Sequence, residues 1–162
     1  MSYTTIGQFL FLLVVANGAP IIARDIFKDL FGYPLDGGKI LYDGRPLFGP
    51  AKTIRGLLAA GVATGCVAPL VGRPMLLGVC LGLYAMCGDL MSSFMKRRLG
   101  IKSGDSALGL DQSLEALTPA VMLRTPFAFQ VTEIVIVVLA FFLLEIGLSR
   151  LLYRLHIRDR PL

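Results

Sequence analysis

The chain has one histidine and three cysteines, and neither type falls into a metal-binding pattern. No CxxC pair and no Cys/His spacing occurs. The odd cysteine number argues against a disulfide framework, and the missing spacing argues against a structural zinc site. Cys66, Cys80 and Cys87 all lie in apolar stretches and read as small buried hydrophobes. His156 lies in a basic C-terminal tail, which suits a membrane-interface residue better than a ligand or a base. No internal repeat or low-complexity tract is visible. No Lys or Arg precedes Arg24, so the apolar stretch Ile6 to Ala16 lacks the positive flank of a signal peptide. It reads as a retained first membrane span. Polar side chain is scarce as well. The 162 residues are 55% apolar with a mean hydropathy of +0.71, too little polar surface for a soluble core of this size. Lipid is the natural solvent for such a composition.

What is present fits that solvent. The expected fold is all-α: a single polytopic membrane domain over 1–162 with five transmembrane helices. Spans are expected at about 4–23, 53–72, 74–97, 112–124 and 129–152. Pro69 loosens the far end of the second span, and Pro74 suits the first turn of the third. The fourth is short, and holds Glu115 and Pro119. It falls below the roughly 20 residues that cross a bilayer, so protein neighbours must shelter its polar end. No charge is assigned to the middle of the second and fifth spans. With five spans, 14 of the 16 basic residues fall on one side, leaving only Arg73 and Arg124 on the other. The positive-inside rule puts the rich side in the cytoplasm. The N-terminus is then outside, the C-terminus inside, and the chain sits in the cell membrane as a multi-pass protein. The net charge of +5 flanks apolar segments, which suits lipid headgroups rather than nucleic acid.

Two cytoplasmic loops, about 25–52 and 98–112, hold most of the Gly, Asp and Lys/Arg, and loops of this length are often functional. Asp89 lies late in the third span, where a charge costs roughly 2.5–3.5 kcal/mol on insertion scales. Such a residue needs a wet cavity and a partner. At 100° per residue Asp89, Ser93 and Lys96 share one helix face. They form either a site or an Asp89–Lys96 pair that holds the helix end at the interface. Asp111 opens the fourth span, as an N-cap or as a second carboxylate on the same membrane side. Two carboxylates with water and phosphate oxygens suit a hard cation such as Mg²⁺.

The first loop runs Asp43-Gly44-Arg45-Pro46-Leu47-Phe48-Gly49-Pro50-Ala51-Lys52-Thr53-Ile54-Arg55-Gly56. Gly44 to Thr53 is not a P-loop, because Pro50 and Ala51 separate Gly49 from Lys52. Lys52, Thr53 and Arg55 nevertheless crowd a helix N-terminus, where free N–H groups favour phosphate. The alternative is that these cations merely flank a span. Asn17 and Pro20 sit near the cytoplasmic end of the first span, in reach of the same cavity or as a plain kinked helix end.

At these residues the chain resembles a known family. Gly88-Asp89-Leu-Met-Ser-Ser93-Phe-Met-Lys96-Arg97, with Lys102 beyond, is similar to the core of the signature of membrane CTP:phosphatidate cytidylyltransferases. The whole chain more closely resembles the smaller archaeal-type branch, the CDP-archaeol synthases. The matching segments are Ala16-Asn17-Gly18-Ala19-Pro20, Asp43-Gly44-Arg45 to Gly56, Gly88-Asp89 to Lys102, and Leu110-Asp111-Gln112. The resemblance implies five transmembrane helices, a polar cytoplasmic cavity, and Mg²⁺-dependent reaction of CTP with a lipid phosphate to give CDP-lipid and pyrophosphate. It implies catalytic roles for Asp89, Asp111 and Lys96, with Asp89 and Asp111 as the metal ligands. Asn17, Gly49, Lys52, Thr53, Arg55, Ser93, Arg97 and Lys102 become substrate-binding candidates. The chain departs from the larger family at Ser103-Gly104-Asp105-Ser106, where that family has an Asp and then His-Gly-Gly. It departs again at Gly109, where that family has Arg. Both departures favour the archaeal-type branch. The lipid tails, ether-linked isoprenoid or ester-linked acyl, and the oligomeric state leave no mark in the residues. The competing readings are a small transporter or channel that uses Asp89 as an ion relay, and a non-catalytic membrane scaffold.

Overall fold

The structure, a computed structural model, describes residues 3–28, 30–103, 105, 107 and 109–154, with side chains described as far as 148. His156 and the basic residues beyond it lie outside these. Apolar composition gives helices throughout. They are α1 (Tyr3–Phe27), α2 (Ile54–Val67), α3 (Met75–Arg98), α4 (Leu110–Met122), the single turn α5 (Arg124–Phe127) and α6 (Val131–Arg154). A 3₁₀ turn, Ala68–Val71, prolongs α2. Among the described residues there is no strand, only two isolated bridges, Pro34 with Thr53 and Ile40 with Pro46. Four helices are long and apolar enough to cross a membrane: α1, Ile54–Val71, α3 and the part of α6 at Val131–Leu148. The fifth, α4, has 13 residues and is about 20 Å long at 1.5 Å per residue. The bilayer core is roughly 30 Å thick, so α4 cannot cross on its own length.

Helix ends follow local chemistry. Thr53 is extended and its hydroxyl accepts the Gly56 N–H at 3.2 Å, capping α2. Pro74 stands just before α3 rather than inside its first turn. Gln112 Oε1 accepts the Gly109 N–H at 2.8 Å at the start of α4. Small residues set the helix spacing. A side chain on Gly82 would collide with Thr64 and the Ala60 carbonyl of α2, and one on Gly88 would collide with the Leu114 carbonyl of α4.

The two ends of the bundle are built differently. At one end Phe9 meets Phe127 edge-on at 4.9 Å between ring centroids and Phe129 at 5.1 Å. The Arg73 guanidinium lies 4.7 Å over the Phe127 ring and donates to Gln8 Oε1 at 2.9 Å. Gln8 in turn donates to the Val71 carbonyl at 2.6 Å. This aromatic end ties the start of α1 to the α2–α3 turn and to the α5–α6 junction. At the other end the 28–53 loop clamps onto the C-terminus of α3. Arg98 Nη1 donates to both Asp43 carboxylate oxygens at 2.6 Å, and Arg45 donates to the Arg97 carbonyl at 3.2 Å and to the Arg98 carbonyl.

One expectation about the core is corrected. Cys66 and Cys87 are exposed on the protein surface and Cys80 is half-buried; all three are free thiols. They sit in apolar helices, but two of them face away from the packed interior.

Candidate active site

The loop end of the bundle holds a cavity of about 570 Å³. Its walls come from α1, the 28–53 loop and the starts or middles of α2, α3, α4 and α6. The polar lining is mixed in sign. Arg24, Lys28, Lys52 and Arg55 bring cations, and Asp89, Glu115 and Glu145 bring carboxylates.

Asp89 has the partner that its depth demands, but the partner is Lys52. The ammonium donates to both carboxylate oxygens at 2.6 Å. Lys52 arrives from the loop just ahead of α2, so the pair joins α2 to α3. Lys96, one helix turn beyond Ser92, points elsewhere. Its ammonium donates to Asp111 Oδ2 at 2.9 Å and to the Asp105 carbonyl at 3.2 Å. Asp111 Oδ1 also lies 2.8 Å from the ammonium, in an ion-pair contact too oblique for a hydrogen bond. Asp111 Oδ2 further accepts the Ala107 N–H at 3.0 Å. The expected face of Asp89, Ser93 and Lys96 therefore divides into two ion pairs, one in the cavity wall and one between α3 and the start of α4. Glu115 links them: the charges of Asp89, Glu145, Lys52 and Asp111 all act on it.

The other candidates divide in the same way. Asn17, Lys52, Thr53, Arg55 and Asp89 line the cavity, while Gly49, Ser93, Lys96, Arg97, Lys102 and Asp111 do not. The Asn17 amide donates back to the Leu13 carbonyl at 3.1 Å. Arg55 Nη1 donates to the Lys28 and Leu30 carbonyls at 2.7 and 2.6 Å, closing the end of α1. At the α2 N-terminus the Gly56 N–H is taken by Thr53 and the Ile54 N–H donates to the Tyr33 carbonyl at 3.1 Å. That helix end offers fewer free donors than the loop sequence suggests. Ser93 and Arg97 are buried and Lys102 is exposed.

Gly49 is a turn residue with φ +97°, and a Cβ there would run into the Ser103 side chain. Its N–H, with those of Phe48 and Gly38, donates to Asp36 at 2.9–3.0 Å. Burial pushes the Asp36 carboxyl up, but the Gly49, Phe48 and Gly38 donors together outweigh it and set the group below the usual carboxylate value. Asp36 thus organises the loop that carries Lys52.

Sequence reasoning passed over Glu145 and treated Glu115 only as a polar burden on a short helix. The signal was there: a carboxylate inside an apolar segment is as costly at 115 or 145 as at 89. The reading of the last span as free of charge at depth is corrected by Glu145, which reaches the cavity wall.

Among the described residues no three His, Cys, Asp or Glu side chains converge as a ready ligand set. The oxygen donors still suit a hard cation that keeps its waters and borrows substrate phosphate oxygens. Buried Glu115 lies within the fields of both ion pairs and adds a third carboxyl group to this end of the bundle.

Comparison with known proteins agrees with this architecture. A family model described as the cytidylyltransferase family matches residues 1–109, and one described as CDP-archaeol synthase matches residues 69–162. The CDP-archaeol synthase of Saccharolobus solfataricus is 37% identical over 156 residues, covering 91% of this chain and 89% of that protein. Those of Hyperthermus butylicus and Aeropyrum pernix are 42% and 45% identical over 61% of this chain. The matched stretches span 60% and 57% of the lengths of these two relatives. A solved structure, described as an intramembrane enzyme for archaeal membrane lipid biosynthesis, superposes with a TM-score of 0.75 at 32% identity. The superposition covers 88% of this chain and 90% of that one. A helical membrane bundle with a charged cavity at one end, matched by that first family model, defines the class of membrane cytidylyltransferases. Within that class, the chain belongs to the CDP-archaeol synthase family.

Proposed function

We propose that the protein transfers the cytidylyl group of CTP to a membrane lipid phosphate, giving CDP-lipid and pyrophosphate, in the pathway that builds membrane phospholipids. Family membership supports the reaction, and the relatives' names favour an archaeal-type ether lipid. The single observation that carries the reading within this chain is the Lys52–Asp89 pair in the wall of a charged membrane cavity.

In the reaction a lipid phosphate oxygen bonds to the α-phosphorus of CTP as the bond to the β-phosphate oxygen breaks. The nucleophile is already anionic, so no strong base is needed. Positioning and charge neutralisation are the protein's task. Without substrate, Lys52 and Lys96 neutralise Asp89 and Asp111. With substrate, both ammoniums turn to phosphate oxygens, and Arg55 and Arg97 add charge on either side of the carboxylates. Asn17, Gly49, Thr53, Ser93 and Lys102 complete the substrate-binding set, Gly49 and Thr53 by shaping the loop and helix start beside Lys52. Asp89 and Asp111 would hold Mg²⁺, which would supply positive charge against the charge developing on the phosphate groups.

The same reading gives five membrane-crossing elements, with the Glu115 face of α4 turned into the bundle and Leu117, Val121 and Met122 on its outer face. Asp111 near its start meets Lys96, while Phe127 just past its end meets Phe9 at the aromatic end. The concentration of basic residues on the loop side supports a cytoplasmic cavity, an outside N-terminus and an inside C-terminus.

Labelled CTP supplied with Mg²⁺ and a lipid phosphate in proteoliposomes is expected to yield labelled CDP-lipid and pyrophosphate. Buried Glu115 and cavity-lining Glu145 favour the ion-relay transporter as the second reading. Solute uptake without nucleotide conversion would establish that reading instead.

A further inference from the structure

The seams between helices differ in how they close at the cavity level. Between α1 and α2, Pro20 packs against Gly56 and Arg55 holds the carbonyls at the end of α1. Between α2 and α3, Gly82 lies against Thr64 and Ala60. Between α3 and α4, Gly88 lies against the Leu114 backbone, and Lys96 ties α3 to Asp111. Between α4 and α6, Glu115 is buried within the field of Glu145.

The α1–α6 seam is different. Its aromatic half is closed: Phe9, Leu12, Leu13 and Ala16 of α1 share one core with Ile134, Val137 and Phe141 of α6. Beyond Ala16 only Ala23 of α1 is buried, and beyond Phe141 no described residue of α6 is buried. Yet both helices still line the cavity there, α1 through Asn17, Pro20, Ile21 and Arg24 and α6 through Glu145. A side chain at Gly18 would meet nothing within 4 Å. Next to this gap the surface is apolar and exposed: Ile22 on α1, Leu143 and Leu144 on α6. Two helices that wall one cavity while burying so little side chain at that level give it a side that faces the bilayer.

We infer that the lipid phosphate enters the cavity sideways, between the cavity halves of α1 and α6, with its tails left on the exposed faces of those two helices. The inference rests on the proposed function and adds the route. Chemistry is graded along this path: apolar Ile22 and Leu144 at the lipid side, then Asn17, then Arg24 and Lys52 at the cavity head. A two-tailed lipid can move its charged head along such a path without lifting its tails from the membrane.

The test uses the full-length protein in nanodiscs and a lipid phosphate carrying a photoactivatable diazirine in its tails. Label should fall on α1 between residues 18 and 26 and on α6 between 143 and 148, and excess unlabelled lipid phosphate should remove it. Label competed away instead from the outward faces of α2 or α3, at Leu58, Val62 or Met91, would overturn the route. Turnover with CTP is followed in the same preparation. Conversion with label elsewhere defeats the route alone, whereas no conversion of any lipid phosphate defeats the reaction on which it rests. As a second arm, Leu144→Trp should raise KM for a long-chain lipid phosphate about tenfold while leaving KM for CTP unchanged. Val62→Trp, on a remote lipid-facing surface, should change neither. Equal KM for Leu144→Trp and wild type would also overturn the route.

Discussion

The two ends of this small bundle solve the same problem with opposite materials. The aromatic end joins three chain segments through Phe9, Phe127, Phe129 and the Arg73 guanidinium, whose hydrogen bonds go to neutral groups. The cavity end joins its segments through ion pairs, Lys52–Asp89, Lys96–Asp111 and Arg98–Asp43. Rings and aliphatic side chains give close packing that needs no exchange of partners. Ion pairs cost desolvation and return little net stability, but each holds a charge that a substrate or cation can take over. The difference teaches where chemistry belongs: charges are concentrated at the end that must change partners, and the other end holds the frame.

Mutations should respect that division. The largest effect is expected from Asp89→Asn. CTP-dependent transfer should fall by a factor of about 10²–10³ or more, while detergent-solubilised protein keeps its elution volume and melting behaviour. Next comes Lys96→Ala, which leaves buried Asp111 without its counterion. Breaking one partner of a buried pair costs about 3–5 kcal/mol, so both stability and activity should drop. The double variant Lys96→Met with Asp111→Leu should recover much of the stability and none of the activity, as read by thermal melting beside turnover.

The aromatic end should behave in the reverse sense. Phe127→Ala removes a buried ring and should cost on the order of 3 kcal/mol. Turnover per folded molecule should remain within about twofold of wild type, as measured after active-fraction correction. A large loss of turnover at unchanged stability would erase the contrast between the two ends.

The smallest effect is expected at Asp36, which lies in the loop outside the spans. Its carboxyl is held below its ordinary value, so its contribution is fully present above the unfolded value of about 3.9. That contribution is lost as pH falls through the lower folded value. Limited proteolysis of the 28–53 loop should therefore accelerate at the acid end of the range in wild type. Asp36→Asn should show faster cleavage at neutral pH and little further change on acidification.

Much of this arrangement was legible in the residues. Long apolar runs gave α1, α2, α3 and α6 to within a few positions, because lipid solvation demands length and leaves little room for ambiguity. The fourth segment was visibly too short, and its burial of Glu115 and Pro119 follows from that shortness. Asp89 stood out because a charge at that depth requires a reason. Its partner did not, since helical periodicity relates Asp89 only to residues of its own helix. Lys52 comes from 37 positions away, and its choice depends on how α2 and α3 approach through Thr64 and Gly82. Gly49 carried the opposite lesson: it reads as part of an anion pocket, and the fold uses it to pack a turn on Ser103. Glu145 was hidden by the strongly apolar residues around it.

The most direct measurement is Mg²⁺-dependent formation of CDP-lipid from labelled CTP and an archaeal-type ether lipid phosphate, run side by side with wild-type protein and Asp89→Asn in nanodiscs. Label should reach the lipid with wild type, disappear with chelation, and be absent with the folded variant. Wild-type-like transfer by Asp89→Asn would contradict the assignment of the chemistry to the ion-paired end of the bundle.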